Sequence, residues 1–359
     1  MSNVFGKNIS VTIFGESHGP LIGATVGGIE PGIKINKEYI SEKLSKRRPF
    51  GKISTARREA DEFRIVSGEF NGYTTGAPLT IIIENSDTKS RDYSEFLDTP
   101  RPSHADFTAN VKYRGFQDYR GGGHFSGRIT APLVAVGAIL QCYLEEKGIY
   151  IGTHIKSLKG IYDREFSDYS ADIKLLSRKL FPTLSEKSEK EMLEFIEKTA
   201  EMGDSVGGVL ESAVIGVPAG LGEPFFDSVE SEISHILFSI PAVKGVSFGR
   251  GFGFSELLGS EANDAFETDG AAVYTKTNNN GGILGGISTG MPIIVNTAIK
   301  PTPSIFKEQE SVSLSTLENK KLTIKGRHDP AIIHRARAVV DAALAIAIYD
   351  LILQNRSTK

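Results

Sequence analysis

The chain has 359 residues, 40% hydrophobic and 24% charged, with a formal net charge of −3. That profile is globular, large enough for one large domain or two small ones, and unlike that of a protein built to coat nucleic acid. The single cysteine, Cys142, excludes an internal disulfide and a thiolate-rich metal centre and fits a reducing cytosol.

A first strand is predicted over 9–14 and a second over 22–29. Between them, Phe14-Gly-Glu-Ser-His-Gly-Pro20 puts a carboxylate, a hydroxyl and an imidazole into a glycine-flanked turn. Gly15 and Gly19 permit backbone angles that other residues avoid, so His18 can be presented from a tight loop on a sheet, where catalytic groups tend to sit. The same residues also suit a plain polar turn, and both readings stand at this point. Asn36 can cap a helix over 37–47 with Ile40 and Leu44 on one face. Residues 79–84 read as a buried β-branched strand. The forty residues from 86 to 125 show no sustained periodicity and suggest a functional loop region.

A helix is expected from about 127–131 to Lys147, ending at Gly148, with Pro132 in its first turn and Cys142 buried and inert. Residues 186–202 form a charged amphipathic helix, and 206–217 read as a strand. Asp227-Ser-Val-Glu230 fits a capping box that starts a helix to about residue 238. A strand follows over Ile293–Ile299, and Asp329-Pro330 opens a long apolar helix to about residue 354. No repeat or low-complexity linker interrupts the chain. The expectation is one domain over 1–359, with 160–205 a peripheral helical and loop segment. The longest apolar run, Ala342 to Ile348, is far short of a membrane span, and the N-terminal residues carry no apolar signal region.

Several stretches carry chemistry. Lys43, Lys46, Arg47, Arg48, Lys52, Arg57, Arg58 and Arg64 concentrate positive charge in one segment of an acidic protein. The cations offset a helix C-terminus, or they form a site for a multiply anionic small molecule, since arginine forks match phosphate and carboxylate oxygens in pairs. Arg101-Pro-Ser-His-Ala-Asp106 places His104 in a loop, where it can move a proton or pin the loop. Arg120-Gly-Gly-Gly-His-Phe-Ser-Gly-Arg128 precedes a helix, so its backbone N–H groups and its cations can meet a phosphate. It has neither the Rossmann nor the P-loop spacing. Lys300-Pro-Thr-Pro-Ser304 is an extended loop with three donor side chains, or a plain proline-rich connection. In Gly326-Arg-His-Asp-Pro330, Asp329 reads as a helix N-cap, and a carboxylate there would be held ionised beside an anionic ligand. No His/Cys/Asp cluster has zinc-ligand spacing.

Taken in order, Gly15-Glu-Ser-His-Gly19, Arg47-Arg-Pro49, Arg57-Arg-Glu59, Arg101-Pro-Ser-His104, Arg120-Gly-Gly-Gly123, Gly281-Gly-Ile-Leu-Gly-Gly-Ile-Ser288, Lys300-Pro-Thr302 and Gly326-Arg-His-Asp-Pro330 closely resemble the chorismate synthase family, from about residue 3 to 353. The resemblance implies a single α+β domain in which sheets and helices are layered as a β-α-β sandwich. It implies a cytoplasmic lyase that converts 5-enolpyruvylshikimate 3-phosphate to chorismate and phosphate by a 1,4-anti elimination. This is the last shikimate-pathway step toward the aromatic amino acids. Reduced FMN is needed without net redox change. The assembly implied is a homotetramer that binds no nucleic acid and no membrane. With no nicotinamide fingerprint, the chain is expected to be monofunctional and to receive reduced flavin from a separate reductase, so that NADPH acts only indirectly.

By the same resemblance, His18 is the acid near the departing phosphate, His104 protonates or holds reduced flavin, and Asp329 assists proton removal through the flavin. Ser17, Arg47, Arg48, Arg128 and Arg327 bind substrate, and Arg47 is also an NADP position. Flavin contacts fall at His124, Phe125, Ser126, Pro241, Ala242, Gly285, Lys300, Pro301, Thr302, Pro303, Ser304 and Arg327. The sequence departs from the family pattern at His124-Phe125-Ser126, where Arg-Ser-Ser is common, at Pro241, at Lys52 and at Asp341. Two other readings remain. One is a different flavin- or phosphate-dependent lyase on this scaffold. The other is a non-catalytic anion- or RNA-binding module, which the lack of aromatic stacking residues near the arginines disfavours.

Overall fold

The structure, a computed structural model, describes residues 3–51, 53–54, 60–86, 95–324, 326 and 328–357. Lys52, Arg57, Arg58 and Arg327 lie outside the described residues. Two five-stranded antiparallel sheets form the outer layers. The first runs in the order Val4–Phe5, Ser10–Gly15, Leu21–Gly27, Leu79–Glu84, Phe63–Ser67. The second runs Val243–Phe248, Ile293–Ile299, Gly208–Ile215, Tyr150–Leu158, Ile161–Tyr162. Alternation sets their faces. Leu79, Ile81 and Ile83 are buried, while Thr80 points the other way and its hydroxyl lies 3.1 Å from that of Thr25 on the paired strand.

Among the described residues the α-helices are α1 (Lys37–Arg47), α2 (Asp106–Tyr113), α3 (Thr130–Glu146), α4 (Tyr169–Arg178), α5 (Glu186–Glu201), α6 (Val229–Ser239), α7 (Gly259–Ala262) and α8 (Ile333–Ser357). Helices α3 and α8 pack on each other between the sheets. Helix α3 meets Leu21–Gly27 and Leu79–Glu84 of the first sheet, and α8 meets Tyr150–Leu158 and Gly208–Ile215 of the second. This is why both are apolar on nearly every side. The seam is tight, because a Cβ on Gly137 of α3 would overlap Ala342 of α8. Each Leu or Ile fully buried there contributes about 1.5–3 kcal/mol. Residues Gly127–Glu146 are long and apolar enough to cross a membrane, but most of that stretch is buried inside the protein.

The layered α+β architecture and most predicted elements match the expectation. Asn36 caps α1, its side-chain oxygen accepting from Tyr39 N at 3.0 Å. Pro132 sits in the first turn of α3, where its missing N–H costs no helical bond. Other elements differ. The cap of α6 is Ser228, one residue later than read, and its hydroxyl accepts from Ser231 N at 3.1 Å. Asp227 instead pairs with Lys7. Asp329 is not the N-cap of the last helix, which begins at Ile333, with Ile332 O accepting the first helical bonds. Cys142 is half-buried, and burial pushes its thiol up. The 86–125 region contains α2, which sequence periodicity missed because only Ala109 of its eight residues is buried.

A buried polar node ties the edge of the second sheet to the chain beyond it. His154 Nδ1 lies 2.9 Å from Asp163 Oδ2, and its Nε2 lies 3.3 Å from Glu211 Oε2. Asp163 also accepts from Ser185 N and Ser188 Oγ, at 3.0 and 2.6 Å. Burial opposes charge on His154, but the two carboxylates outweigh it and raise its pKa. A raised histidine pKa contributes stability below about pH 6.5 that is lost as pH climbs through the folded value. The stability advantage of the wild type over His154→Gln is therefore expected to shrink as pH rises above about 6.5. Thermal midpoints of the two proteins across pH check this, and a difference that stays flat or grows contradicts it.

Candidate active site

A cleft of about 1150 Å³ opens beside the first sheet, the start of α3 and the start of α8. His18, Arg47, Arg48, Arg101, His104, His124, Phe125, Ser126, Arg128, Pro241, Ala242, Lys244, Lys300, Thr302, Pro303, Ser304, Asp329 and Arg335 are among the residues lining it. Among the described residues the carboxylates of the lining are Asp61 and Asp329, so cations dominate. Six of the segments marked in the sequence converge here from positions more than 300 residues apart.

The histidine turn is held from outside itself. Asn85, at the end of the strand Leu79–Glu84, donates from Nδ2 to Glu16 O at 3.0 Å and to Gly19 O at 2.9 Å. Its Oδ1 accepts from Arg128 Nε at 3.0 Å. One amide thus connects the His18 turn to a cleft arginine. His124 Nδ1–H donates to Gly15 O at 2.8 Å, and Ser17 N donates to Gly123 O at 3.1 Å. Ser17 does not line the cleft. It is fully buried, and its hydroxyl has no hydrogen-bond partner among the described residues.

The glycine run has a different job from the one its composition suggests. Helix α3 starts at Thr130 behind a short 3₁₀ turn, Gly127–Ile129, so the run is not its N-terminus. Arg120 faces Asp118, with both bonds 2.8 Å, and is not a cleft cation. Gly121, Gly122 and Gly123 have φ of 60°, 82° and 53°. A Cβ on Gly121 would overlap the His18 imidazole, one on Gly122 would lie 3.3 Å from His104 Nε2, and one on Gly123 would overlap Asp118 O. Adjacent glycines therefore admit the two histidine rings. Gly121→Ala is expected to displace His18 and lower kcat by about 10²-fold, with backbone strain of about 1–3 kcal/mol. Turnover and thermal midpoint check this, and wild-type turnover contradicts it.

Arg47 and Arg128 share Asp61, which is buried between them. Arg47 donates to Oδ2 at 2.9 Å and Arg128 donates to Oδ1. Burial pushes the Asp61 carboxyl up, but the two guanidinium groups outweigh it and hold the pKa below the usual carboxylate range. Arg48 follows α1 and donates to Ala60 O. The buried Nε atoms of Arg47 and Arg48 have no partner among the described residues. Such donors fit an anionic ligand.

His104 is paired through Nδ1 with Asp106 Oδ1 at 2.6 Å. Burial is the largest cause of its lowered pKa, with Arg101 and Lys300 adding to it and Asp106 opposing. It is neutral at pH 7. Lys300 Nζ donates to Ser103 O at 2.5 Å, and Lys300 N donates to Ala242 O at 2.9 Å, joining two predicted flavin segments. Ala242 holds φ of 75°, a strained setting for a residue with a Cβ. Asp329 lies in the lining with its carboxylate engaged by Arg335, and its carbonyl accepts from Thr302 Oγ1 at 2.7 Å. Gly285 and Pro301 are not among the lining residues; Gly285 sits in the turn joining Ile283–Leu284 to Ile287–Ser288.

Sequence reasoning missed Asp61, Asn85, Asp106 and Arg335. Asp106 had a signal, since it stands two residues after a marked histidine. Asn85 had none, because its loop partners are 66 and 69 residues away.

A cleft so rich in arginine, with two imidazoles set against neighbouring glycines, fits a small anionic ligand and acid–base chemistry. Comparison with known proteins makes the class specific. The chorismate synthase family model matches residues 9–353. A chorismate synthase of Thermococcus kodakarensis is 43% identical over 352 residues, covering 98% of each chain. One of Dehalococcoides mccartyi is 45% identical over 357 residues, covering 99% of this chain and 97% of the relative. A crystal structure of chorismate synthase superposes with a TM-score of 0.76 at 28% identity, covering 98% of this chain and 93% of the other. The chain belongs to the chorismate synthase family.

Proposed function

We infer that the chain catalyses the reaction of its family, the conversion of 5-enolpyruvylshikimate 3-phosphate to chorismate and phosphate by 1,4-anti elimination. It is a lyase of the shikimate pathway, and its substrate is a small molecule. The observation that carries the reading is the convergence of His18, His104, Arg47, Arg48 and Arg128 on one cleft. A substrate with one phosphate and two carboxylates needs such a density of guanidinium groups.

The family depends on a reduced flavin, and FMN is the form proposed here. The residues fit it: Lys300, Ser304, Thr302 and Ala242 line the cleft beside His104, and Nε of Arg47 and of Arg48, without a partner among the described residues, remain for anionic oxygens. Reduced flavin, when bound, supplies the electron density that helps the phosphate depart without net redox change. The protein's own groups do the rest. Arg47, Arg48 and Arg128 hold the anionic substrate, and Arg327 is assigned with them by resemblance. His18, against Gly121, gives a proton or a hydrogen bond to the leaving phosphate. Neutral His104 presents Nε2 toward the flavin side of the cleft. Asp329, paired with Arg335, is the carboxylate assigned to proton removal.

Ser17 supports the His18 turn, and His124, Phe125, Ser126, Pro241, Pro303, Pro301 and Gly285 are carried as flavin positions by resemblance, with Arg47 as the NADP position. The enzyme works as a cytoplasmic homotetramer supplied with reduced flavin by a separate reductase.

The test is anaerobic turnover with reduced FMN and the phosphorylated enolpyruvyl substrate. Chorismate and inorganic phosphate in equal amounts are expected; no product with any reduced flavin overturns the assignment. Chorismate formed aerobically from NADPH and oxidised FMN, with no added reductase, overturns the monofunctional part alone.

A further inference from the structure

Asp106 belongs to no assignment made above, yet it is built into the site with unusual completeness. It is the first residue of α2, and its side chain is 8% exposed. Arg101 grips it in a fork, Nε to Oδ2 and the terminal nitrogen to Oδ1, both 2.8 Å. Arg101 N adds a third bond to Oδ2 at 3.0 Å. The guanidinium itself is fixed over the Phe96 ring, 4.6 Å from its centre. The carboxylate so held offers Oδ1 to His104 Nδ1 at 2.6 Å. Arg101 Nη2 also lies 3.0 Å from Nδ1, but it already donates to Oδ1 at 2.8 Å, and the shorter 2.6 Å contact of Nδ1 is to the carboxylate, which when ionised can only accept, so that bond requires a proton on Nδ1. Nε2, beside Gly122, is then the atom left for the cleft.

We propose that Asp106, locked by Arg101, is a positioning residue that fixes His104 in its Nδ1-protonated tautomer and leaves Nε2 as the working atom. This rests on the reading of His104 as a cleft acid–base group. A carboxylate beside an imidazole does two things: it sets tautomer and ring orientation, and it stabilises the imidazolium when a proton arrives at the other nitrogen. The charged groups that act on His104 are Asp106, Arg101 and Lys300, of which Asp106 alone favours its protonation. An arriving anion would offset Arg101 and Lys300, leaving Asp106 to support a proton on Nε2.

The experiment is Asp106→Asn beside Asp106→Glu in the full-length enzyme, with kcat, KM and the pH profile measured anaerobically. Asn can turn its NH₂ toward Nδ1 and impose the opposite tautomer. The Asn variant should lose about 10²–10⁴-fold in kcat with KM largely unchanged. The pH limb governed by His104 should move to lower pH, because the group that raises its pKa is gone. Asp106→Glu should recover part of the rate. A second readout needs no variant: the imidazole nitrogen shifts of His104 in the ¹⁵N-labelled wild type should show Nδ1 protonated at neutral pH. Wild-type kcat in Asp106→Asn, a loss confined to KM, or an Nε2-protonated wild type each overturns the proposal. If His104→Ala keeps wild-type turnover while the nitrogen shifts are as stated, the assignment of His104 fails and the tautomer inference stands.

Discussion

Changing His104 to alanine is expected to lower kcat by about 100-fold or more, the usual scale for a lost acid–base group, while the fold survives. The ring borders the cleft and is 18% exposed, so little apolar packing is removed with it. Its partner is not left as an orphan, because Asp106 keeps the Arg101 fork and Arg101 N. The lowered pKa of His104 means that the free enzyme presents it neutral at pH 7, so the loss should be present across the neutral range and above. Anaerobic turnover with reduced FMN, measured beside the thermal midpoint, checks this. Wild-type turnover removes His104 from the mechanism, and a collapsed midpoint makes it a structural residue.

Asp61→Ala should have the largest effect on stability of the changes considered, about 3–5 kcal/mol, because it leaves two buried guanidinium groups without their shared counter-charge. The Asp61 side chain is 1% exposed and those of Arg47 and Arg128 are 11% and 3% exposed, so solvent screens the pairs weakly. Arg128 keeps Asn85 Oδ1 and Glu84 O, but Arg47 keeps only a 3.4 Å bond to Gly127 O among the described residues. The sign with pH follows from the depressed carboxyl. The contribution of Asp61 is present above about pH 4 and disappears as pH falls through its folded pKa. Denaturant midpoints should therefore show the wild-type advantage over Asp61→Ala at neutral pH and its decline in acid. A difference below about 1 kcal/mol at neutral pH contradicts a buried, charge-balancing Asp61.

The sequence disclosed the layered fold through its ordered motifs and most elements through periodicity. Ile40 and Leu44 face the core as their spacing requires, and the Leu79–Glu84 strand has the expected buried alternation. What stayed hidden was the pairing of polar groups across the chain. Asp329-Pro330 has the composition of a helix start, but the chain runs on to Ile333, with Pro330 O taken by Val206 N and the Asp329 carboxylate by Arg335. The triple glycine looked like an anion cradle because local sequence cannot reveal that His18, a hundred residues earlier, packs against it. Asn85 is invisible for the same reason, although it binds both the histidine turn and Arg128. The histidine turn itself was legible because glycine spacing and side-chain chemistry lie within seven consecutive residues.

In the proposed enzyme one cleft holds both substrate and flavin, with the departing phosphate on the His18 and arginine side. A crystal structure of the protein with oxidised FMN and 5-enolpyruvylshikimate 3-phosphate tests it most directly. The substrate phosphate should lie within hydrogen-bond reach of His18 and Arg48, with the flavin ring between the substrate and the His104, Ala242 and Lys300 segments. Either ligand bound outside this cleft, or the phosphate seated on Lys300 instead of His18, would contradict the account.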